Sequence, residues 1–401
     1  KSFTDKVLAE FNRKSENAKL PPAFAPFSLR GMNLYNRIVM APMEQYAAKD
    51  GMVSDWHLVH YGSRAVNGVG LIITEAVAVS DSGRITLGCP MISTEDQKSG
   101  WKKIVTFIHE SSKAKIAVQL GHSGRKGGVQ MPWEAIEKSL EKQWDLLSAS
   151  PIAFSDRQAV PKEMDSADMD RIVNQFASAA INADEAGFDM IELQAHHGFL
   201  LASFLSPLTN IRNDEFGGSI ENRLKFPLTV FNEIRKVFTQ DKPISVRISA
   251  SDWAENGISE QDVIEIAKAF KSAGADIINV SSGYTVENEN PQTGRMWQTP
   301  FSDAVRNTVN IPTITSGSIQ DIDQINTIIL NGRADLVALG RPLLLDPSFV
   351  RSAQAYEQFH ADDIPNQYYA GISHLYPLKA SERKEKESMK KALKPETHKK
   401  Q

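Results

Sequence analysis

The chain has 401 residues, of which 41% are apolar and 23% charged, and its 45 Lys and Arg nearly balance its 49 Asp and Glu. This composition excludes an intrinsically disordered chain and provides no basic footprint for nucleic acid. No stretch reaches the roughly 18 consecutive apolar residues of a transmembrane helix, and Cys89, the single cysteine, excludes an internal disulfide. We therefore expect a cytoplasmic protein with neither nucleic-acid nor membrane partners.

Eight short apolar runs rich in β-branched residues follow one another along the chain, and longer segments with helical periodicity separate most of them. They span residues 38–43, 69–75, 115–120, 188–193, 244–248, 276–281, 311–315 and 334–339. Alternating strands and helices favour a parallel sheet, and eight units favour a (β/α)8 TIM barrel over a doubly wound sheet. No G-x-G-x-x-G or Walker A sequence follows these runs, so no dedicated dinucleotide domain is predicted.

The segments between the runs carry helix-boundary signals and differ in length. Ser259 is a predicted N-cap and Gly274 a predicted C-terminal stop, and Gly187 ends another predicted helix. Residues 121–164 and 283–300 are longer than a barrel requires, which predicts lid insertions after strands 3 and 6. The predicted domains are an N-terminal extension packing on the barrel (1–36), the barrel (37–360) and a C-terminal extension with a basic tail (361–401).

Residues at the ends of the predicted strands suggest a ligand site, because the chemistry of a barrel collects there. Gly317, Gly340 and Arg341 follow the seventh and eighth runs, where glycines permit close approach and Arg341 offers a forked donor to phosphate. Gln119 and Arg247 could present an amide and a positive charge to a planar heteroaromatic ligand, or form internal polar pairs. Together with a phosphate site they favour flavin mononucleotide (FMN).

Several motifs resemble those of the old yellow enzyme family of FMN-dependent oxidoreductases. They include "NRIVMAPM", "QLGHSGRKG", "HHGFLLASFLSPLTNIRNDEFGGSIENR", "SVRISASDW" and "GRADLVALGRPLL". "RITLGCPMISTEDQKSGWKKIV" and "GRMWQTPFSDAVRN" are similar, more closely, to the oxidoreductase domain of bifunctional aminobenzoyl-CoA monooxygenase/reductases and salicyloyl-CoA hydroxylases. The resemblance implies a (β/α)8 barrel with tightly bound FMN, transiently reduced by NADH or NADPH and reoxidised by an electron-poor alkene.

The resemblance also implies roles for individual residues. It places one set against FMN: Ala41, Pro42, Met43, Glu44, Ala76, Gln119, Arg247, Gly317, Gly340 and Arg341. Within that set, Arg247 would stabilise the negative charge of the reduced ring. No metal site is implied.

The expected catalytic residues depart from the family pattern. Gln194 and His197 occupy the positions of a His-x-x-His or His-x-x-Asn pair that hydrogen-bonds the substrate carbonyl, and Tyr46 matches a tyrosine that reaches the same group in one branch. Phe199 stands where the family commonly has a proton-donating tyrosine, so the proton must come from solvent, Tyr46 or another group. His196, one place off the register, is expected to be a packing or supporting residue.

Glu44 stands where family members have Cys, Thr or Ala, so no redox-tuning cysteine is expected there. A carboxylate beside the flavin would lower the reduction potential by repulsion, unless it is protonated. The alternative is a side chain turned into solvent while the backbone contacts FMN.

The predicted lids carry aromatic and basic side chains. Trp133, Trp144 and Trp297 would stack on a planar ligand or anchor the lids to the barrel. Arg125 and Lys126 would meet a CoA phosphate or form surface ion pairs.

The sequence thus predicts an FMN-dependent NAD(P)H oxidoreductase that transfers hydride to an electron-poor C=C of a conjugated or dearomatised substrate, with an aryl-CoA thioester as one candidate. A simple enone reductase is the close alternative. A barrel lyase or isomerase with Glu44 and His197 as acid and base, and a non-catalytic flavin-binding protein, are the others. Homo-oligomerisation and a monooxygenase partner are also expected.

Overall fold

A computed structural model describes residues 20–134 and 144–392. Eight parallel strands form a closed barrel, which confirms the predicted (β/α)8 fold. In chain order the strands of the chain are β1 (Phe27–Leu29), β2 (Met32–Leu34), β3 (Ile38–Met40), β4 (Leu71–Ala78), β5 (Lys115–Gly121), β6 (Leu147–Ser148), β7 (Lys162–Glu163), β8 (Met190–Ala195), β9 (Ile244–Ser249), β10 (Ile277–Ser281), β11 (Thr313–Thr315) and β12 (Leu336–Leu339). The barrel runs β3-β4-β5-β8-β9-β10-β11-β12 and closes where Ala338 pairs with Val39.

Each barrel strand coincides with one of the eight apolar runs. Nearly every position of these strands is buried, on both faces, because side chains point alternately into the barrel and toward the surrounding helices. The first strand is shorter than its run, since residues 41–43 already belong to the loop at the barrel mouth.

Helices cover the outside of the barrel. Those with at least eight residues are Asp55–Val66, Glu95–Ser111, Ser166–Ala186, Ile220–Val237, Glu260–Ala273, Thr299–Val309, Ile322–Leu330, Phe349–Tyr356 and Tyr369–Ala392, and shorter ones are Leu200–Leu205 and Arg341–Leu345. The predicted boundary signals are confirmed: Ser259 Oγ accepts a hydrogen bond from Asp262 N–H at 3.1 Å, and Gly187 and Gly274 end helices with φ of 93° and 106°.

The two ends of the barrel differ. A hairpin of β1 and β2 places Leu29, Met32 and Leu34 in one apolar cluster with barrel residues such as Val39 and Leu71, so it closes the end at which the strands begin. The opposite end, where the strands finish, carries the long connections after β5 and β10, as predicted for lids. Residues 135–143 of the first lie outside the described residues. Chemistry is therefore expected at this second end.

The chain continues beyond the barrel into a C-terminal helix, Tyr369–Ala392. The segment before it is fixed by an ion pair in which Arg351 Nη1 lies 2.9 Å from Asp363 Oδ1, with both side chains almost fully buried. Residues 1–19 and 393–401 lie outside the described residues, so the boundaries of the two predicted extensions stay a prediction. None of the helices in the described part of the chain is long and apolar enough to cross a membrane.

Candidate active site

A cavity of about 760 Å³ opens at the end of the barrel where the strands finish. Its volume lies within the range of about 300–1,000 Å³ that is typical of small-molecule sites. Eight of the thirteen residues that the sequence singled out line it: Ala41, Pro42, Met43, His197, Arg247, Gly317, Gly340 and Arg341. The strand-end rule therefore brought together residues that are up to 300 positions apart in the chain.

One side of the cavity is formed by the loops after β11 and β12. Gly317 has φ of +106°, and a Cβ placed there would lie 3.0 Å from Trp297 Cδ1, so this position requires glycine. The exposed Arg341 guanidinium donates to Ser318 Oγ at 3.3 Å. This combination of a glycine, hydroxyl groups and a forked cation suits a phosphate group.

Arg247, at the centre of β9, supplies a buried positive charge to the cavity. Its Nε atom is buried without a partner, and its Nη2 makes only a 3.4 Å contact with Ser281 Oγ. Burial lowers the pKa of Arg247, whereas the carboxylate of Glu192 beneath it raises that pKa. A buried guanidinium with unused donors is suited to a ligand that carries hydrogen-bond acceptors.

His197 follows β8 and has a left-handed backbone conformation, with φ of 54°. Its N–H donates to Ser249 Oγ at 2.9 Å, and its Nε2 lies 2.7 Å from Ser281 Oγ, so two neighbouring strand ends hold the ring. Burial, followed by the charges of Arg247 and Lys126, holds the pKa of His197 well below its ordinary value. The imidazole is therefore neutral at physiological pH.

Gln119, Gln194 and Ala76 lie beside the cavity. Gln119 Nε2 donates to Glu192 Oε1 at 2.8 Å, and Gln119 Oε1 accepts from Gln194 Nε2 at 3.4 Å. Gln194 and Ala76 line a second, much smaller void. Gln119 is thus held by internal polar contacts of the kind that the sequence left open as an alternative.

Glu44 and Tyr46 follow β3 and face the end of β4. The Glu44 carboxyl accepts the Ala76 N–H at 3.1 Å through Oε1, and its Oε2 is buried without a partner. The side chain is therefore not turned into solvent, and the alternative considered from the sequence is wrong. Tyr46 packs edge-on against Trp133 with 5.9 Å between ring centroids, and burial together with the Glu44 charge raises its pKa.

Arg125 and Lys126 serve a purpose that the sequence did not suggest. Arg125 donates to the backbone carbonyls of Ile152, Ala153 and Thr285, and Lys126 Nζ donates to those of His197 and Tyr284 at 2.8 and 2.7 Å. Neither residue forms a surface ion pair or stands free for a CoA phosphate. Both tie the lids to the loop that carries His197.

Other predicted residues occupy packed positions. His196 is 3% exposed and packs edge-on against His197, with 4.2 Å between ring centroids. Phe199 lies under the Lys126 ammonium at 5.1 Å and offers no proton. Trp297 lines the cavity and packs against Trp253, whereas the Arg84 guanidinium lies over Trp144.

The sequence analysis assigned no role to several residues of the site. Ser249 and Ser281 hold His197, and Tyr284 lines the cavity with its ring centroid 4.9 Å from that of His197. Both serines are the last residues of their strands, so the strand-end rule that selected Arg247 could have found them. Tyr284 carries no such signal, because its contact depends on the fold of the loop.

Comparison with known proteins matches residues 22–358 to the NADH:flavin oxidoreductase / NADH oxidase family. The chain is 41% identical to an NADPH dehydrogenase of Geobacillus sp. (strain WCH70) over 329 residues, or 81% of this chain and 91% of that protein. It is 41% identical to the NADPH dehydrogenase of Bacillus subtilis (strain 168) over 333 residues, or 82% and 93%. The chain belongs to the NADH:flavin oxidoreductase / NADH oxidase family, the old yellow enzyme family.

Solved structures agree with the family assignment. Morphinone reductase superposes with a TM-score of 0.70 at 26% identity, covering 83% of this chain and 89% of that one. A 2-naphthoyl-CoA reductase complex superposes with a TM-score of 0.75 at 24% identity, covering 82% and 52%, and shows the shared fold. This member of the family is an FMN-dependent NAD(P)H oxidoreductase of old yellow enzyme type, which favours the oxidoreductase over the barrel lyase.

The site fits FMN on the residues present. The buried Arg247 Nε and Glu44 Oε2 both lack protein partners, as expected of groups that meet a polar ring. Gly317 keeps open a space that a Cβ would fill beside Trp297. The apolar stretch Ala41–Pro42–Met43 forms part of the cavity wall between these polar groups.

Proposed function

We propose that this family member uses NADPH to reduce an electron-poor C=C bond in a conjugated or dearomatised ring substrate. The observation that carries the proposal is the chain of contacts from Arg247 through Ser281 to His197 on one wall of the cavity. It places a fixed positive charge and a neutral imidazole together. The printed names of the 41% identical relatives support NADPH as the reductant.

FMN, when bound, accepts hydride from the nicotinamide and passes hydride to the substrate. Gly317, Gly340 and Arg341 would hold its phosphate, and Ala41, Pro42, Met43 and Arg247 would contact its ring. Arg247 would favour electron gain, because a nearby cation stabilises developing negative charge in a site of low dielectric constant.

His197 would polarise the substrate as a neutral hydrogen-bond donor. In the assignment that we infer, the Ser281 hydroxyl accepts from Arg247 and donates to His197 Nε2, which leaves the proton of the ring on Nδ1. A donor held by two strand ends needs little reorganisation as charge develops on the substrate oxygen. Gln194 would act beside it through its amide, and Tyr46 through its hydroxyl.

Aromatic rings at the mouth of the site favour a planar substrate. Tyr284 is 58% exposed beside His197, and Trp133 is 65% exposed beside Tyr46. Exposed rings next to a polar site suit stacking on an aryl or unsaturated ring. We infer an aryl-CoA thioester as the substrate class, and a simple enone is the competing candidate that the 26% identical morphinone reductase supports by its name.

An anaerobic two-step experiment tests the proposal. The FMN-loaded protein is mixed with NADPH, and an aminobenzoyl-CoA-type thioester or 2-cyclohexenone is then added while the visible absorbance of the flavin is followed. Fast bleaching by NADPH and recovery that depends on one of the substrates are expected. Flavin that NADPH does not bleach, or that recovers equally slowly with both substrates, would refute the proposal and favour the non-catalytic flavin-binding alternative. Homo-oligomerisation and a monooxygenase partner stay predictions.

A further inference from the structure

The Glu44 carboxyl is buried beside the site, and one of its oxygens has no protein partner. Oε1 accepts the Ala76 N–H at 3.1 Å, whereas Oε2 makes no hydrogen bond. An unsatisfied buried oxygen of a charged carboxylate is costly, so the group must be neutral or must bind something that the protein does not supply.

Glu75 is the neighbouring acid, and its contacts differ from those of Glu44. Its Oε1 accepts the Tyr61 hydroxyl at 2.9 Å and lies 3.4 Å from His57 Nε2, and its Oε2 accepts the Gln45 N–H at 3.0 Å. Donors on both oxygens favour the charged form of Glu75. Because two adjacent buried carboxyls do not both ionise readily, the proton of this pair belongs to Glu44.

The electrostatic surroundings of Glu44 agree with this division. The titratable and charged groups that interact with it are Glu75, Arg247, Tyr46, Tyr61 and Cys89. Burial first, and then the Glu75 charge, raises the pKa of Glu44 to about 8, against smaller opposing effects of the Ala76 N–H and Arg247. Arg247 is the one cation in the set, and its effect is the smallest of the four.

We propose that Glu44 is a redox-coupled acid, which stands neutral beside oxidised FMN, bonds the ring through Oε2, and binds its proton more tightly when the flavin is reduced. This inference rests on the proposed location of FMN. NADPH supplies two electrons and one proton as hydride. When Glu44 begins as a carboxylate, reduction draws one more proton from solvent, and an O–H bond forms on its carboxyl group. Reoxidation of the flavin releases that proton again.

The proposal answers the question that Glu44 raised at the sequence level. A charged Glu at this position would repel the electrons that FMN gains, whereas a neutral acid leaves the positive charge of Arg247 uncompensated. Proton uptake by Glu44 at higher pH maintains that arrangement as the ring becomes reduced. The residue would therefore keep the flavin reducible over a wider pH range than a permanently charged carboxylate.

Spectroelectrochemical titration of the FMN-loaded protein between pH 6 and 9.5 tests the proposal. Above about pH 8 the wild type should take up one proton more per flavin than below it. That extra proton adds a tenfold change in the equilibrium constant per pH unit, or about 30 mV for a two-electron couple. Glu44→Gln keeps an amide oxygen for the Ala76 N–H and should lose the steepening. Glu95→Gln, on the exposed side of a helix, is the matched control and should keep it.

Two further measurements keep the proposal testable. Glu75→Gln removes the neighbouring charge and should move the steepening to lower pH. A redox difference infrared spectrum of the wild type should show the carbonyl stretch of a protonated carboxyl, which does not depend on any variant folding. A wild-type slope that is constant across pH 8, or one that Glu44→Gln leaves unchanged, would overturn the proposal. Because dithionite is the reductant here, failure of NADPH to bleach the flavin would count against the proposed function alone.

Discussion

Replacing Gly317 with alanine should weaken FMN binding while the barrel stays folded. The φ of Gly317 is +106°, which an alanine adopts only with strain, and the new Cβ would lie 3.0 Å from Trp297 Cδ1. Such strain costs about 1–3 kcal/mol. Since 1.4 kcal/mol corresponds to a factor of ten in affinity, the dissociation constant for FMN should rise about 5-fold to 150-fold. The apoprotein can relieve the strain by moving this loop, whereas bound phosphate would hold the loop in place.

Titration of the apoprotein with FMN, followed by quenching of the flavin fluorescence, gives the dissociation constant. Gly294→Ala is the matched control, because a Cβ at Gly294 meets nothing within 4 Å and its backbone φ is not in the left-handed region. That variant should bind FMN as the wild type does. If Gly317→Ala and Gly294→Ala bind FMN within twofold of each other, Gly317 does not form part of the phosphate site.

Three other changes test separate parts of the account. His197→Ala should slow reoxidation by the substrate about 100-fold to 1,000-fold with a smaller effect on bleaching by NADPH, and equal slowing of both steps in stopped-flow traces would contradict its role. Asp363→Asn leaves the buried Arg351 guanidinium without its partner and should cost about 3–5 kcal/mol in urea unfolding, and a loss below about 1 kcal/mol would refute that estimate. The pKa of Glu44 rises from 4.5 to about 8 on folding, so apoprotein stability should fall as pH rises through this window, and calorimetry should show a weaker fall in Glu44→Gln.

The barrel was predictable from the sequence because its signals are local. Each barrel strand is a short run that is buried on both faces, and the N-cap at Ser259 and the left-handed residue Gly274 lie at the ends of one helix. The strand-end rule then identified Arg247 and His197 without any knowledge of their contacts. A closed barrel turns the order of strands along the chain into positions around one cavity.

The chemical states of the site residues were not predictable in the same way, because they depend on contacts between distant segments. The neutral state of Glu44 follows from burial beside Glu75, which lies 31 positions away in sequence. Lys126 looked like a surface cation, yet its ammonium bonds backbone carbonyls near His197 and Tyr284, and burial lowers its pKa to about 7. No periodicity or motif encodes such pairings.

The structure of the FMN complex at high resolution tests the central claim most directly. The account predicts that the phosphate lies on Gly317, Gly340 and Arg341, and that the ring spans the cavity toward Arg247 with an oxygen or nitrogen atom within hydrogen-bond distance of the Arg247 guanidinium. A phosphate bound elsewhere, or a ring that leaves Arg247 without a flavin contact, would contradict the assignment of this cavity as the site of flavin chemistry.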